Sequence, residues 1–249
     1  MNNSVENRRT IRKYTSGPVD EALLNELLAT AMRTQTMGNL QLYSVVVTRD
    51  EEMKRRLSPC HFGQPMVTQA PVVLTICADF HRTTRWCQER QADPGYDNLL
   101  SFLNAASDAL LFTQTFCNLA EERGLGICYL GTTIYQPQQI IDVLGLPELV
   151  MPVATLTVGW PDEEPALSDR LPLEAVVHNE TYKDYAREDI DRLYTPKEQL
   201  PENRNFVEIN HKQTLAQVFT DLRYSRRDNE ALSQVLIDTL RRQHFLSGD

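Results

Sequence analysis

The sequence lacks long hydrophobic runs. No stretch approaches the roughly 20 consecutive apolar residues that a transmembrane helix needs, and residues 1–6 contain no apolar core of the kind that a secretory signal peptide carries. We therefore expect a cytoplasmic protein that does not span a membrane.

Cysteine is scarce and irregularly spaced. The five cysteines show no C-x-x-C spacing, so neither a disulfide framework nor a metal site is predicted. Reduced, mostly buried thiols agree with a cytoplasmic location. Cys60 beside His61 could suggest a nucleophile pair, but sequence neighbours rarely form one and no third orienting group is apparent.

Positive charge is also in deficit. The 249 residues carry a formal net charge of −9, which argues against nucleic acid or an anionic membrane as the main partner. With 41% hydrophobic residues, the chain is long enough for one large domain or two modest ones.

Common catalytic motifs are absent. Gly124-Leu125-Gly126 lacks the third glycine of a dinucleotide fingerprint and precedes a predicted strand, where the fingerprint would follow one. Neither G-x-S-x-G nor H-E-x-x-H occurs, and the five histidines are dispersed. Such a chain, if it is an enzyme, is expected to take its chemistry from an organic cofactor.

What stands out instead is a cationic cluster near the start of this acidic chain, Arg8-Arg9-Thr10-Ile11-Arg12-Lys13. Arginine grips phosphate oxygens in pairs and keeps its charge, so a bound phosphate is one interpretation. A solvated arm is the other. In an extended segment, Arg8, Thr10 and Arg12 would face one way and Ile11 the core.

Hydrophobic periodicity predicts alternating helices and strands up to about residue 161, and hence an α/β or α+β sandwich with helices covering a sheet. Helices are predicted over residues 20–33, 50–57, 98–123 and 137–144, and strands over 42–48, 72–78, 127–130 and 153–159. The helix from Asn98 is apolar nearly all round, which indicates burial in a domain centre or at a subunit interface.

Beyond residue 161 the sequence becomes polar and turn-rich. Residues 188–211 show no clear period, so no element is predicted there, whereas residues 228–245 read as a helix. We interpret residues 1–185 as one domain and residues 186–249 as an extension that packs on the body or on a partner subunit. Arg204, Arg223, Arg226 and Arg227 are candidates for a nucleotide phosphate or a solvated helix end.

Four loops could add to a binding site. They are the polar segment Thr34–Gln41, Gln64 after Gly63, the strand end Cys128–Thr132 with Gly131, and Arg170 within Ser168–Pro172. Strand ends are common ligand sites in α/β proteins, and glycine lets backbone groups approach closely. Each loop alone is unremarkable; their occurrence together with the arginine cluster is the signal.

The ordered series of these motifs resembles the nitroreductase family, and most closely its oxygen-insensitive, NADPH-dependent, flavin-reductase-like branch. The resemblance covers residues 3–185 and rests on RRTIRKY at Arg8–Tyr14, Gly63-Gln64, Gly124–Gly131, Leu144–Pro147, Val158–Pro161 and Arg170–Pro172. His178–Tyr182 is similar to that branch's H-E-N-x-Y segment, with the middle residues exchanged.

The resemblance implies an obligate homodimer with an α+β three-layer sandwich, a central mainly antiparallel sheet flanked by helices, and two FMN sites at the subunit interface. It implies that Arg8, Arg9 and Arg12 bind the FMN phosphate and ribityl chain with help from Thr10, and that Arg170 closes on the phosphate. Thr36, Met37, Gly38 and Gln41 would contact FMN from the partner subunit. Gln64 would hydrogen-bond the pyrimidine edge, while Tyr129, Leu130 and Gly131 would line one face.

The resemblance also implies an FMN-dependent NAD(P)H oxidoreductase that reduces nitro compounds, quinones or free flavin by ping-pong hydride transfer, with no catalytic side chain. A non-catalytic flavin-binding module and a related flavin enzyme with another reaction are the alternatives. The chain departs from the pattern at Arg8 (often His), Thr36–Asn39 (often serine-rich), Thr132 (often Gly) and Ser168 (often Lys).

Overall fold

The predicted β-branched segments form one antiparallel sheet of four strands in the order β1-β2-β4-β3. The strands are β1 (Tyr43–Thr48), β2 (Val72–Asp79), β3 (Gly126–Leu130) and β4 (Val150–Gly159). Every residue of β2 and β4 is buried, as expected for the two central strands, whereas β1 and β3 form opposite edges.

The computed structural model describes residues 5–246. Residues 5–166 and 232–246 form one compact unit, and residues 167–231 form a second. The boundary that we place after residue 185 stays a prediction. None of the helices in the described part of the chain is both long and apolar enough to cross a membrane.

Helices surround the sheet of the first unit, so the α+β class predicted from the sequence is confirmed. They are α1 (Glu21–Ala31), α2 (Glu51–Leu57), α3 (Pro65–Gln69), α4 (His81–Glu89), α5 (Leu99–Glu122) and α6 (Pro137–Leu144). Three of these helix starts carry side-chain caps: Asp20 accepts from the Leu23 N–H at 3.0 Å, Asp50 from the Met53 N–H at 2.8 Å and Asn98 from the Ser101 N–H at 3.0 Å.

The long helix α5 buries only one face in the single chain. Ala105, Ala109, Phe112, Phe116 and Ala120 join the main core with residues of β2 and β4. The opposite face exposes large apolar side chains, namely Leu99, Leu100, Leu103, Leu110 and Leu111. An apolar surface of this kind on a helix indicates an interaction face rather than a domain centre.

The N-terminal segment lies along the free edge of β3. The Ile11 N–H donates to the Ile127 carbonyl at 3.0 Å, and Thr10 bridges Ile127 in a parallel sense. Ile11 is 7% exposed, so its predicted inward orientation is confirmed. A Cβ on Gly126 would stand 2.7 Å from that of Ile11, so glycine is needed there for the segment to dock.

The second unit corrects one expectation. Residues 188–211 contain two helices, α7 (Arg187–Glu198) and α8 (Pro201–Ile209), where no regular element is predicted from the sequence. Only Leu193 of α7 is buried, so an apolar period is missing. Local polar contacts support the helix instead: Asp189 accepts from the Ala186 N–H, and Arg192 pairs with Asp189 and Glu174.

The chain ends in α9 (Leu215–Val218), a π-helical turn over Phe219–Arg223 and α10 (Arg226–Arg242). The sequence predicts this last helix over residues 228–245. Its final turns belong to the first unit, where Leu240 and Phe245 are buried in the main core.

Candidate functional site

The docked N-terminal segment brings the arginine cluster to β3. Because the segment runs parallel to β3, it carries Arg12 towards the same end of the sheet that Tyr129 and Gly131 occupy. Burial raises the pKa of the Cys128 thiol on β3, and the nearby Arg12 guanidinium acts in the opposite direction.

The three arginines of the cluster differ in their ion pairs. Arg9 is tied down: its Nε donates to the Pro165 carbonyl at 2.7 Å, and its guanidinium lies 3.9 Å from Glu164. Arg8 and Arg12, by contrast, form no ion pair within 4.0 Å with any residue between 5 and 246, although the Glu163 carboxylate accepts from the Arg12 backbone N–H at 2.5 Å. Arg8 and Thr10 adjoin each other, with 3.5 Å between Arg8 Nη1 and Thr10 Oγ1.

Glu121 of α5 interacts electrostatically with Arg8. Burial raises the pKa of Glu121 to about 7, and the positive charge of Arg8 opposes that shift. Arg8, Arg9, Ile11, Glu121 and Glu163 line a cavity of about 240 Å³ beside the segment. Arg8 and Arg9 therefore lie beside acidic side chains in this cavity, on the same docked segment that carries Arg12.

The end of β3 offers backbone to a ligand. Gly131 is exposed, and a Cβ built on it would meet nothing within 4 Å. Its φ is not in the left-handed region, so neither packing nor conformation requires glycine there. Tyr129 is 47% exposed beside this space, whereas the Leu130 side chain is buried in a second core with Leu57 and is not available to a ligand.

Gln64 reaches the same end of the sheet through Thr132. Gln64 Nε2 lies 3.4 Å from Thr132 Oγ1, and His61 Nδ1 lies 3.0 Å from the same oxygen. His61 is fully buried, which lowers its pKa to about 4 and keeps the ring neutral at pH 7. Sequence reasoning missed this network; the only signal was that Thr132 departs from the family pattern.

The nucleophile-pair interpretation of Cys60 and His61 fails in the structure. Cys60 donates weakly to the Arg56 carbonyl at 3.8 Å, and burial raises the pKa of its thiol. A protonated, buried thiol is a core residue rather than a nucleophile. All five cysteines are free and buried.

The segment Thr36–Gln41 lies elsewhere on the same chain. It precedes β1, the sheet edge opposite β3, and the Asp108 carboxylate of α5 fixes it by accepting from the N–H groups of Met37 at 2.8 Å and Leu42 at 3.0 Å. Gly38 adopts φ 53°, a left-handed conformation that suits glycine. The edge strands are separated by three strand spacings, about 14 Å, so one chain does not bring Thr36, Met37, Gly38 and Gln41 to Gln64.

The remaining arginine candidates belong to the second unit. Arg170 is exposed and donates to the carbonyls of its own loop, Asp169 at 2.8 Å and Ser168 at 3.4 Å. The Arg223 guanidinium packs over Phe206 and Phe219, at 4.7 Å and 5.6 Å from the ring centroids. Arg226 and Arg227 pair with Glu230 and Asp228 at an exposed helix start, which fits the solvated-end interpretation.

Comparisons with known proteins identify relatives of this chain. The profile of the nitroreductase family matches residues 5–160. The FMN reductase [NAD(P)H] of Bacillus subtilis (strain 168) is 36% identical over 182 residues, 72% of this chain and 73% of that protein. The oxygen-insensitive NADPH nitroreductase of Salmonella typhimurium is 33% identical over 70% of this chain and 71% of its own length.

A crystal structure from Bacteroides fragilis NCTC 9343 is similar over nearly its full length. It is 63% identical, superposes with a TM-score of 0.97, and the match covers 98% of this chain and 99% of that one. The similarity therefore extends over both units.

The buried His61 predicts a pH dependence of stability. Its folded pKa of about 4 lies below the ordinary value of 6.5, so the unfolded chain takes up the proton first as the pH falls. The contribution of His61 is complete above pH 6.5 and is lost between 6.5 and 4. We expect wild type to lose about 2 kcal/mol more unfolding free energy between pH 7 and pH 5 than His61→Gln, measured by urea denaturation.

An exposed histidine serves as the control, since His211→Gln should follow the wild-type pH profile. Parallel profiles for wild type and His61→Gln would contradict the neutral, buried state of His61.

Proposed function

The chain belongs to the nitroreductase family, and on that premise we propose that it is an FMN-dependent NAD(P)H oxidoreductase. Its acceptors are nitro compounds, quinones or free flavin, reduced in a ping-pong order. Relatives that are named FMN reductase and NADPH nitroreductase support this function. When bound, FMN supplies the redox chemistry by accepting a hydride from the nicotinamide and passing electrons on.

The residues on the docked segment fit the phosphate end of FMN. Among the described residues, Arg8 and Arg12 form no ion pair within 4.0 Å, and Thr10 adds a hydroxyl between them. Arg9 would contribute from a fixed position, and the family resemblance assigns Arg170 to the phosphate as well. The arginine cluster on the segment docked along β3 is the observation that carries the proposal.

The open space at Gly131 fits the ring end. Gly131 would let the ring approach the backbone, and Tyr129 and the Leu130 backbone would line the same face. Gln64 would hydrogen-bond the pyrimidine edge. Backbone N–H donors and nearby arginines would stabilise negative charge that develops on the ring, so no side-chain acid or base is needed.

We also propose a homodimer in which each site draws on both chains. One chain holds Gln64 and Gly131 at one sheet edge and Thr36–Gln41 at the other, so a single FMN can touch both sets only if a second copy supplies one of them. Asp108 ties Thr36–Gln41 to α5, the helix whose leucines are exposed. Pairing of α5 with its copy would bury those leucines and carry the segment to the partner's site.

Replacing Arg12 by alanine should weaken FMN retention by about 1.5–3 kcal/mol, the usual value of charge-assisted hydrogen bonds. The affinity is measured by quenching of flavin fluorescence on titration into the apoprotein. Lys13→Ala is the matched control, because it removes the neighbouring exposed cation from the opposite side of the same extended segment. Equal losses in the two variants would point to general electrostatics and contradict a phosphate contact by Arg12.

A mixed dimer tests whether the site is shared between chains. Arg12→Ala and Met37→Glu should each weaken FMN binding when expressed alone. After subunit exchange at equal amounts, half of the dimers are mixed and each has one intact site, so roughly a quarter of all sites should regain wild-type affinity. If each site were built from one chain, exchange would restore none, and that result would contradict the proposal.

A further inference from the structure

Thr132 holds its hydroxyl between two nitrogen atoms, immediately after the open Gly131. The half-buried oxygen lies 3.0 Å from His61 Nδ1 and 3.4 Å from Gln64 Nε2. The amide nitrogen of Gln64 is only a donor, so Thr132 Oγ1 accepts from it. A hydroxyl oxygen has two acceptor sites and one proton, which leaves one more acceptor site and the proton to be assigned.

The tautomer of His61 decides what occupies the second acceptor site of the Thr132 hydroxyl and which group is left for its proton. His61 Nε2 is buried and has no hydrogen-bond partner among residues 5–246. A neutral imidazole carries one proton, and an unpaired buried N–H is rarer in proteins than an acceptor with a spare lone pair. The proton therefore belongs on Nδ1, where it is donated to Thr132 Oγ1. Both acceptor sites of the hydroxyl are then filled.

With its lone pairs occupied, the Thr132 hydroxyl can act only as a donor towards a third group. No described residue accepts from it, and the space beside the preceding residue is open. On the basis of the proposed function, we propose that the Thr132 hydroxyl donates a hydrogen bond to the ring of bound FMN, and that His61 is the positioning residue that keeps it in the donor orientation.

The consequence is a bias between the two redox states of the cofactor. A hydrogen-bond donor stabilises an anionic acceptor more than a neutral one. The reduced ring is the more negative state, so this hydroxyl favours reduction. Glycine, which is frequent at this position in the family pattern, offers no such donor. Thr132 would therefore raise the redox potential of FMN bound to this chain.

The test is the midpoint potential of bound FMN in Thr132→Val and Thr132→Ser. Valine keeps the shape and removes the donor; we expect reduced FMN to lose about tenfold in affinity relative to oxidised FMN, a potential about 30 mV more negative for a two-electron couple. Serine keeps the hydroxyl and should restore the wild-type potential. A wild-type potential in Thr132→Val would overturn the proposal.

Thr133→Val is the matched control. It removes the neighbouring hydroxyl, which is fully buried and donates to the Leu130 carbonyl at 2.8 Å. It should lower stability and leave the potential unchanged. A shift equal to that of Thr132→Val would mean that the potential follows local packing, which would also overturn the proposal.

The role of His61 has its own readouts. Asparagine can place an amide N–H where Nδ1 stands, so His61→Asn should keep the wild-type potential while His61→Leu shifts it as Thr132→Val does. In the apoprotein, ¹⁵N NMR of the histidine side chains should show one neutral ring protonated at Nδ1. The signals of that ring should be missing in both His61→Asn and His61→Leu. A ring protonated at Nε2 would overturn the assignment.

These outcomes are separable from failure of the proposed function. If the wild-type protein does not bind FMN, the proposed function fails, while the NMR measurement still reads the His61 tautomer. If FMN binds and is reduced by NAD(P)H but its midpoint potential is the same in Thr132→Val, only this inference fails.

Discussion

The docking of Ile11 against Gly126 is the contact on which the site depends. Ile11 fills the space that any side chain at position 126 would occupy, and its N–H pairs with the Ile127 carbonyl at 3.0 Å. That one buried residue holds the charged N-terminal segment against the edge of β3. Once it is fixed, alternation displays Arg8, Thr10 and Arg12 along one side of the segment. The cations of an acidic chain are thereby brought together along β3, where FMN binding is proposed.

The sheet order then decides how the rest of the site is distributed. Central β2 and β4 are fully buried, so ligand contacts fall at the edges. Gln64 and Thr132 meet at the β3 edge, while Asp108 holds Thr36–Gln41 at the β1 edge beside the exposed leucines of α5. The two residue sets proposed for one FMN site therefore lie at opposite edges of the sheet in each chain, which is the physical reason for proposing a dimer.

Local patterns predicted much of the first unit. The apolar runs at β2 and β4 and the inward Ile11 could be read from the sequence because each depends on near neighbours. Helix α7 could not, since it buries only Leu193 and relies on ion pairs of Arg192 with Asp189 and Glu174. The His61–Thr132 contact spans 71 residues, and no local pattern encodes such a pairing. The sequence also left open whether α5 lies in a domain centre or at an interface. Only the structure shows that its leucines are exposed.

The most direct measurement of the central claim is an anaerobic titration of the purified protein, loaded with FMN, with NADPH and NADH in turn. We expect the visible flavin band to bleach with one equivalent of donor per site and to return when a quinone or a nitroaromatic compound is added. A protein that gains no visible absorbance with FMN, or whose bound flavin is left oxidised by both donors, would contradict an FMN-dependent NAD(P)H oxidoreductase.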